Sequence, residues 1–219
     1  MKQPIKHIWF DFSETIIRLD KQAHEKLRYG SYAEIVGKAV TPELVEEYES
    51  LFKTHKSHSA IFASLGLPDG YWSERYASAD PSTLLKLANP NIPDVLQRLR
   101  EIVPISIFSN VMAEKFFPAL GIGASWFTHI LGPKEVKNPK PALDGFKLMI
   151  ELSDLPPENI LFVGDSVEKE LKPAKSLGLQ TALMWNISPE ADYCFQDFEE
   201  ILTLAAKDPF GSDEASPND

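Results

Sequence analysis

Three short apolar runs in this chain each stop at a polar cluster. His7 to Phe12 reads HIWFDF and gives way to Ser13-Glu14-Thr15, Val103 to Phe108 ends at Ser109-Asn110, and Asn159 to Val163 ends at Gly164-Asp165-Ser166. Runs of this length that are apolar throughout, rather than alternating, read as strands buried on both faces. Gln180 to Trp185 is a weaker run of the same kind, and Trp126 to Leu131 a further candidate. Helical spacing fills the gaps: Ile92 to Glu101, Ala113 to Leu120, Ala142 to Leu152 with Leu143, Phe146, Met149 and Ile150 on one face, and Glu168 to Leu177 ahead of Gly178. Pro173 inside the last of these implies a late start or a kink. Buried strands alternating with helices predict an α/β fold, a parallel sheet joined by right-handed crossovers with helices on both faces. Such sheets bind ligands outside the carboxyl ends of their strands. The three polar clusters therefore converge.

Roughly 90 residues separate the first two strands, far more than one crossover helix needs. Lys21 to Gly37 and Pro42 to Phe62 carry amphipathic helical spacing, Thr41-Pro42 reads as an N-cap followed by Pro at N1, and Leu67-Pro-Asp-Gly70 reads as a turn. Residues 16–89 are predicted to form a helical insert, residues 1–15 and 90–207 the α/β core, and residues 208–219, rich in Gly, Pro, Ser and Asp, a disordered tail. With 22 Lys and Arg against 32 Asp and Glu, the net charge of −10 argues against nucleic acid or an anionic membrane as partner. The single cysteine, Cys194, forms neither an internal disulfide nor a cysteine zinc cluster. The run Ile8-Trp9-Phe10 is shorter than the core of a signal peptide, and no stretch has the length of a membrane span. A soluble cytoplasmic protein is the expectation; its oligomeric state is open.

Four elements, taken in order, resemble the haloacid dehalogenase-like hydrolase superfamily, whose phosphatases use an aspartate nucleophile. FDFSET stands against the family pattern Asp-x-Asp-Gly-Thr; IFSN ends the second strand; Lys140-Pro141 precedes a helix; and GDSVEKE stands against Gly-Asp-x-x-x-x-Asp. The resemblance runs from about Ile5 to Leu183, and the helical insert falls where many members carry a cap. It implies a Rossmann-like sheet and a hydrolase of phosphoric monoesters acting on a small phosphorylated metabolite with Mg²⁺. Asp11 is then the nucleophile and a metal ligand. Asp165 is a second ligand, Ser13 contributes its backbone carbonyl, and Glu170 is a candidate further ligand. Ser109 offers its hydroxyl, Asn110 its backbone N–H and Lys140 its ammonium to the phosphoryl group. A phosphate ester is anionic, so a carboxylate attacks it only when that charge is neutralised; Mg²⁺ and lysine serve this purpose. Taken singly, the same residues also read as loop, turn and cap residues.

The pattern departs at two positions. Ser13 replaces the second aspartate of the first motif, the family's general acid and base, and its hydroxyl does not supply a proton near neutral pH. Glu14 replaces the glycine that follows. Alternatives to a phosphatase with a slow or rebuilt acid step are a catalytically weak binding or regulatory protein, a dehalogenase-type enzyme, and a phosphonate or phosphoryl-transfer variant. The insert's candidates for substrate contact are Arg28, Tyr29, His55, His58, Tyr71, Trp72, Arg75 and Tyr76.

Overall fold

A computed structural model describes residues 2–205, so the tail predicted at 208–219 lies outside the described residues. In chain order the elements are β1 (His7–Phe10), β2 (Ile17–Leu19), α1 (Lys21–Val36), α2 (Pro42–His55), α3 (His58–Ser64), α4 (Tyr71–Ala77), α5 (Pro81–Leu84) and β3 (Leu85–Leu87). There follow α6 (Ile92–Arg100), β4 (Ile105–Phe108), β5 (Ile130–Leu131), α7 (Asp144–Ser153), β6 (Ile160–Gly164), α8 (Lys172–Ser176), β7 (Gln180–Met184), β8 (Tyr193–Phe195) and α9 (Leu202–Ala205).

Six strands form one parallel sheet in the order β5-β4-β1-β6-β7-β8. The first strand is thus central, with Ile8 in register with Ile105 on one side and Leu161 on the other. From β1 the chain builds outward through β4 and β5, then crosses to the other side for β6, β7 and β8. The order reverses at the carboxyl end of β1, which is where such sheets open a crevice. Alternate side chains serve opposite faces. Ile8, Phe10, Ile107 and Val163 join Val95, Leu96 and Leu99 of α6 in one core, while Trp9, Phe108 and Phe162 meet Phe146 and Met149 of α7 in the other. Among the described residues, no helix is long and apolar enough to cross a membrane.

Helices α1 to α5 lie between β2 and β3, which pair antiparallel through Ile17↔Leu87, Arg18↔Lys86 and Leu19↔Leu85. Asp20 caps α1 by accepting from the Ala23 amide (2.8 Å), and Thr41 caps α2 ahead of Pro42. Tyr48, Phe62, Trp72 and Tyr76 are buried among these helices. Tyr76 packs on Phe116 at 5.3 Å between ring centres, and Phe116 on Phe12 at 6.1 Å, so the apolar interior runs from the helices to the residue beside Asp11.

Several elements differ from expectation. The helix predicted over 42–62 breaks at Lys56, in the left-handed region at φ 58°, and restarts under a Ser57 cap. The stretch 113–120 forms two single 3₁₀ turns, 113–115 and 118–120, because Pro118 has no amide hydrogen to continue a helix. Only Ile130 and Leu131 of the run from Trp126 are strand, and 124–126 is a 3₁₀ turn. The helix expected over 168–177 begins as a π turn, 167–171, and becomes α-helical only from Lys172, with Pro173 in its first turn. The pair β2–β3 and strand β8 are additions.

Candidate active site

Backbone hydrogen bonds carry the sheet past the ends of its strands. The Asp11 amide donates to Val163 O (2.8 Å) and the Ser109 amide to Leu131 O (2.9 Å), so both side chains are fixed by the ladder itself. Lys140 arrives from the loop ahead of α7 and is held by its own backbone. Asn110 Oδ1 accepts from the Lys140 amide (2.8 Å), and Asn110 Nδ2 donates to Lys140 O (3.1 Å). The Lys140–Pro141 peptide is cis. Lys140 Nζ donates to Asp11 Oδ1 (2.5 Å), Glu170 Oε1 (2.6 Å) and Phe108 O (3.1 Å), which uses all three ammonium hydrogens.

The other Glu170 oxygen accepts from the amides of Asp165 (3.1 Å) and Ser166 (3.2 Å). The π turn brings it there: Ser166 O receives both the Glu170 and the Leu171 amide, widening the coil where the carboxylate folds back. Gly164 is required beneath it, since a Cβ at that position would run into Glu170 Oε2. Asp11, Asp165 and Glu170 each offer an oxygen, all within 4.8 Å of one another.

This cluster is short of positive charge. Asp11, Lys140 and Glu170 are 4%, 6% and 4% exposed, and one ammonium faces three carboxylates. Burial, then the Glu170 charge, pushes the Asp11 carboxyl well above the usual carboxylate range despite Lys140. The same two causes raise Asp165 to about 6. Burial alone would lower Lys140, but Asp11 and Glu170 outweigh it and hold its pKa above the ordinary lysine value. A hard divalent cation suits this site: the donors are all oxygens, two of the carboxylates are raised by burial and then by the Glu170 charge, and such an ion takes one or two carboxylates.

The sign of the Asp165 shift gives a test. A folded-state pKa of about 6 against 3.8 means the fold disfavours the ionised form, so metal-free stability is lost as pH rises from about 4 through 6. In EDTA above pH 6, Asp165→Asn should therefore be more stable than wild type, by up to about 3 kcal/mol. That difference should vanish toward pH 4, and the variant should lose any gain from added Mg²⁺. Urea unfolding across this pH range checks both.

Ser13 makes an isolated bridge to Ile17. Glu14 sits at φ 62°, a conformation natural to the glycine of the pattern and costly for other residues. Its carboxylate turns back to the Leu19 amide (3.0 Å) and Arg18 Nη1 (3.2 Å), while Arg18 also donates to Glu14 O (2.7 Å). Arg18 lies 5.0 Å over the Trp185 ring, and Trp185 Nε1 donates to Thr15 O (3.1 Å). The Glu14 side chain is thereby tied to β2.

A cleft of about 710 Å³ opens beside the cluster. Ser109, Asn110 and Lys140 line it on the sheet side with residues 133–141, and residues of α3 and the adjoining loops line it from the insert. Ser109 Oγ accepts from the Val111 amide (3.2 Å), which leaves its own hydrogen for another acceptor. Of the insert residues singled out from sequence, only His55 lines this cleft. Arg28 pairs with Glu25 and Glu49, Arg75 with Glu34, and His58 Nδ1 with the Tyr48 hydroxyl (2.7 Å). Trp72 and Tyr76 are buried. Sequence reasoning missed the Asn110 clasp on Lys140 and the cleft residues Lys56, Lys134 and Lys137. The last two repeat at three-residue intervals with Lys140, a spacing visible in the sequence.

Comparison with known proteins places this architecture. The family model for haloacid dehalogenase-like hydrolases matches residues 5–178. The chain belongs to this family. Among curated proteins it is 28% identical over 163 residues to the phosphoglycolate phosphatase of Shigella boydii, a match covering 69% of this chain and 61% of that protein. Among solved structures, a HAD phosphatase from Thermococcus onnurineus superposes with a TM-score of 0.71 at 20% identity, covering 92% of this chain and 98% of that one. The magnesium-bound HAD-hydrolase YfnB of Bacillus subtilis gives 0.63 at 19% identity, covering 93% and 99%. At these identities the structural likeness speaks to the fold.

Proposed function

We propose that this protein is a Mg²⁺-dependent phosphatase of small phosphorylated metabolites that works through an aspartyl-phosphate on Asp11. The observation that carries the reading is the buried Asp11–Lys140–Glu170 bridge, set beside Asp165 at the ends of adjacent strands β1 and β6. Family membership and the phosphatase among its curated relatives support it.

Asp11 and Asp165 would hold the cation, with the backbone carbonyl of Ser13. Both Glu170 oxygens already accept hydrogen bonds, so its role is to orient Lys140 and the 164–166 turn, with metal contact secondary. When bound, Mg²⁺ neutralises phosphoryl oxygens and keeps Asp11 ionised. Lys140 adds a fixed positive charge beside the attacking oxygen, and Asn110 keeps it in place. Ser109 and Asn110 line the cleft, and the Ser109 hydroxyl and Asn110 backbone N–H would donate to the transferring group, an electrostatic contribution of the oxyanion-hole type. Residues 16–89 act as the cap that closes over the bound ester. Ser13 holds the acid/base position without the means to donate a proton, so leaving-group departure and hydrolysis of the phosphoenzyme are the slow steps.

The test is a screen of aryl and alkyl phosphates with Mg²⁺, with Asp11→Asn as the blank. The expected result is weak turnover, faster for aryl esters because phenolates leave unprotonated, lost in EDTA and lost in the variant. Turnover that survives Asp11→Asn would overturn the assignment.

A further inference from the structure

The cleft is much larger than a phosphoryl group, and its charges point to what fills the remainder. Lys56 from the turn between α2 and α3, and Lys134 and Lys137 from the loop ahead of Lys140, all line it and are exposed, so they stand where it opens to solvent. The close ion pairs among the described residues draw on Lys2, Lys38, Lys115, Lys140, Lys172 and Lys175, and on none of these three. Two acids share the lining: Glu135 accepts from the Gly132 amide (2.9 Å) and is folded onto its own loop, and Asp69 is exposed in the turn before α4. Three uncommitted ammonium groups from two separate segments, converging on one cleft in a chain of net charge −10, form a local field opposite in sign to the molecule. The rest of the lining mixes aliphatic residues, among them Ala60, Pro133 and Pro139, with serines and Asn138, and Phe108 is its one aromatic ring besides His55. Phe108 is fully buried, which leaves the His55 imidazole as the one aromatic face the lining offers to solvent.

Building on the phosphatase reading, we propose that the substrate is an aliphatic phosphate monoester with a second anionic group, a carboxylate or another phosphate. The reacting phosphate lies at Ser109, Asn110 and Lys140, the carbon chain along the aliphatic wall, and the second anion among Lys56, Lys134 and Lys137. Charge-assisted contacts of this kind act on binding, so they lower KM and leave the chemical step alone.

The experiment compares 6-phosphohexanoate with hexyl phosphate in Mg²⁺ at low and high salt. At low salt the expected KM for the carboxylate ester is about tenfold lower, with similar kcat, and the ratio shrinks in high salt as the ammonium groups are screened. In the triple variant Lys56→Ala, Lys134→Ala, Lys137→Ala the ratio falls to near one. Equal KM values in wild type, or a preference that persists in the triple variant, would overturn the proposal. If neither ester is hydrolysed, calorimetry in the same buffer reads the binding preference directly. The aryl-ester screen then decides the phosphatase reading, and this one stands or falls on the measured ratio. Turnover without preference is the converse.

Discussion

Replacing Lys140 by methionine should lower the stability of the metal-free protein by about 3–5 kcal/mol, the cost of breaking a buried ion pair from one side. Methionine keeps most of the volume and removes the charge. Asp11 and Glu170 are then left buried without a counter-ion, and Phe108 O loses its donor. The loss should depend on pH in a definite direction. Without Lys140 the Asp11 carboxyl, already raised by burial and the Glu170 charge, is raised further above its unfolded value. The variant is therefore least impaired at low pH, where Asp11 is protonated, and most impaired above neutrality, where the fold must carry its charge. Mg²⁺ should return part of the loss, because it supplies positive charge to the same cluster. Urea unfolding at about pH 5 and pH 8, in EDTA and in Mg²⁺, separates these contributions. A loss below about 1 kcal/mol at pH 8 would mean that the bridge is not ionic.

The second large effect concerns Ser13. With no base to activate water, an aryl phosphate should give a burst of phenol equal to the enzyme present, followed by slow turnover as the phosphoenzyme accumulates. Alkyl phosphates should be slower still, since an alkoxide needs a proton to leave. Ser13→Asp should raise alkyl-ester turnover by up to about 10²-fold, within the range that a positioned acid/base supplies. The neighbouring Glu14 has its carboxylate bound to Arg18 and the Leu19 amide. Wild-type alkyl turnover near the enzyme median of about 10 s⁻¹ would show that another group already donates the proton. Inactivity in both proteins, with ester binding retained, would favour a binding role.

The parallel sheet could be read from residues because β1, β4 and β6 are buried on both faces and their apolar runs are uninterrupted. Asp11, Ser109 and Asp165 stand at strand ends, which an abrupt change in polarity marks, whereas Lys140 stands out only through the resemblance of Lys140-Pro141 to the family pattern. What escaped has local causes. Ile17 to Leu19 and Leu85 to Leu87 are three residues each, too short to show a period, and pair with each other across the whole insert. Pro118 undid a helix whose apolar spacing was sound. The Asn110 clasp is a contact between residues thirty positions apart that turns on one amide side chain, and no spacing encodes it. The insert's conspicuous aromatics were a poor guide to the cleft, because rings of that size bury themselves. The cleft fell instead to small residues and lysines.

The antiparallel pairing of β2 with β3 bears on how a chain of this kind diversifies. The strand that leaves the sheet for the helices and the strand that returns from them lie side by side, so everything between enters and exits through an opening one hairpin wide. A different set of helices, or a plain turn, can be grafted there without altering one hydrogen bond of the parallel ladder. The sheet-end cluster and the contacts from the insert can thus be inherited separately. The constraint on such an exchange is the aromatic seam from Tyr76 through Phe116 to Phe12. A newcomer must supply a ring or an equally broad apolar surface in Tyr76's place, or leave water against the residue next to Asp11.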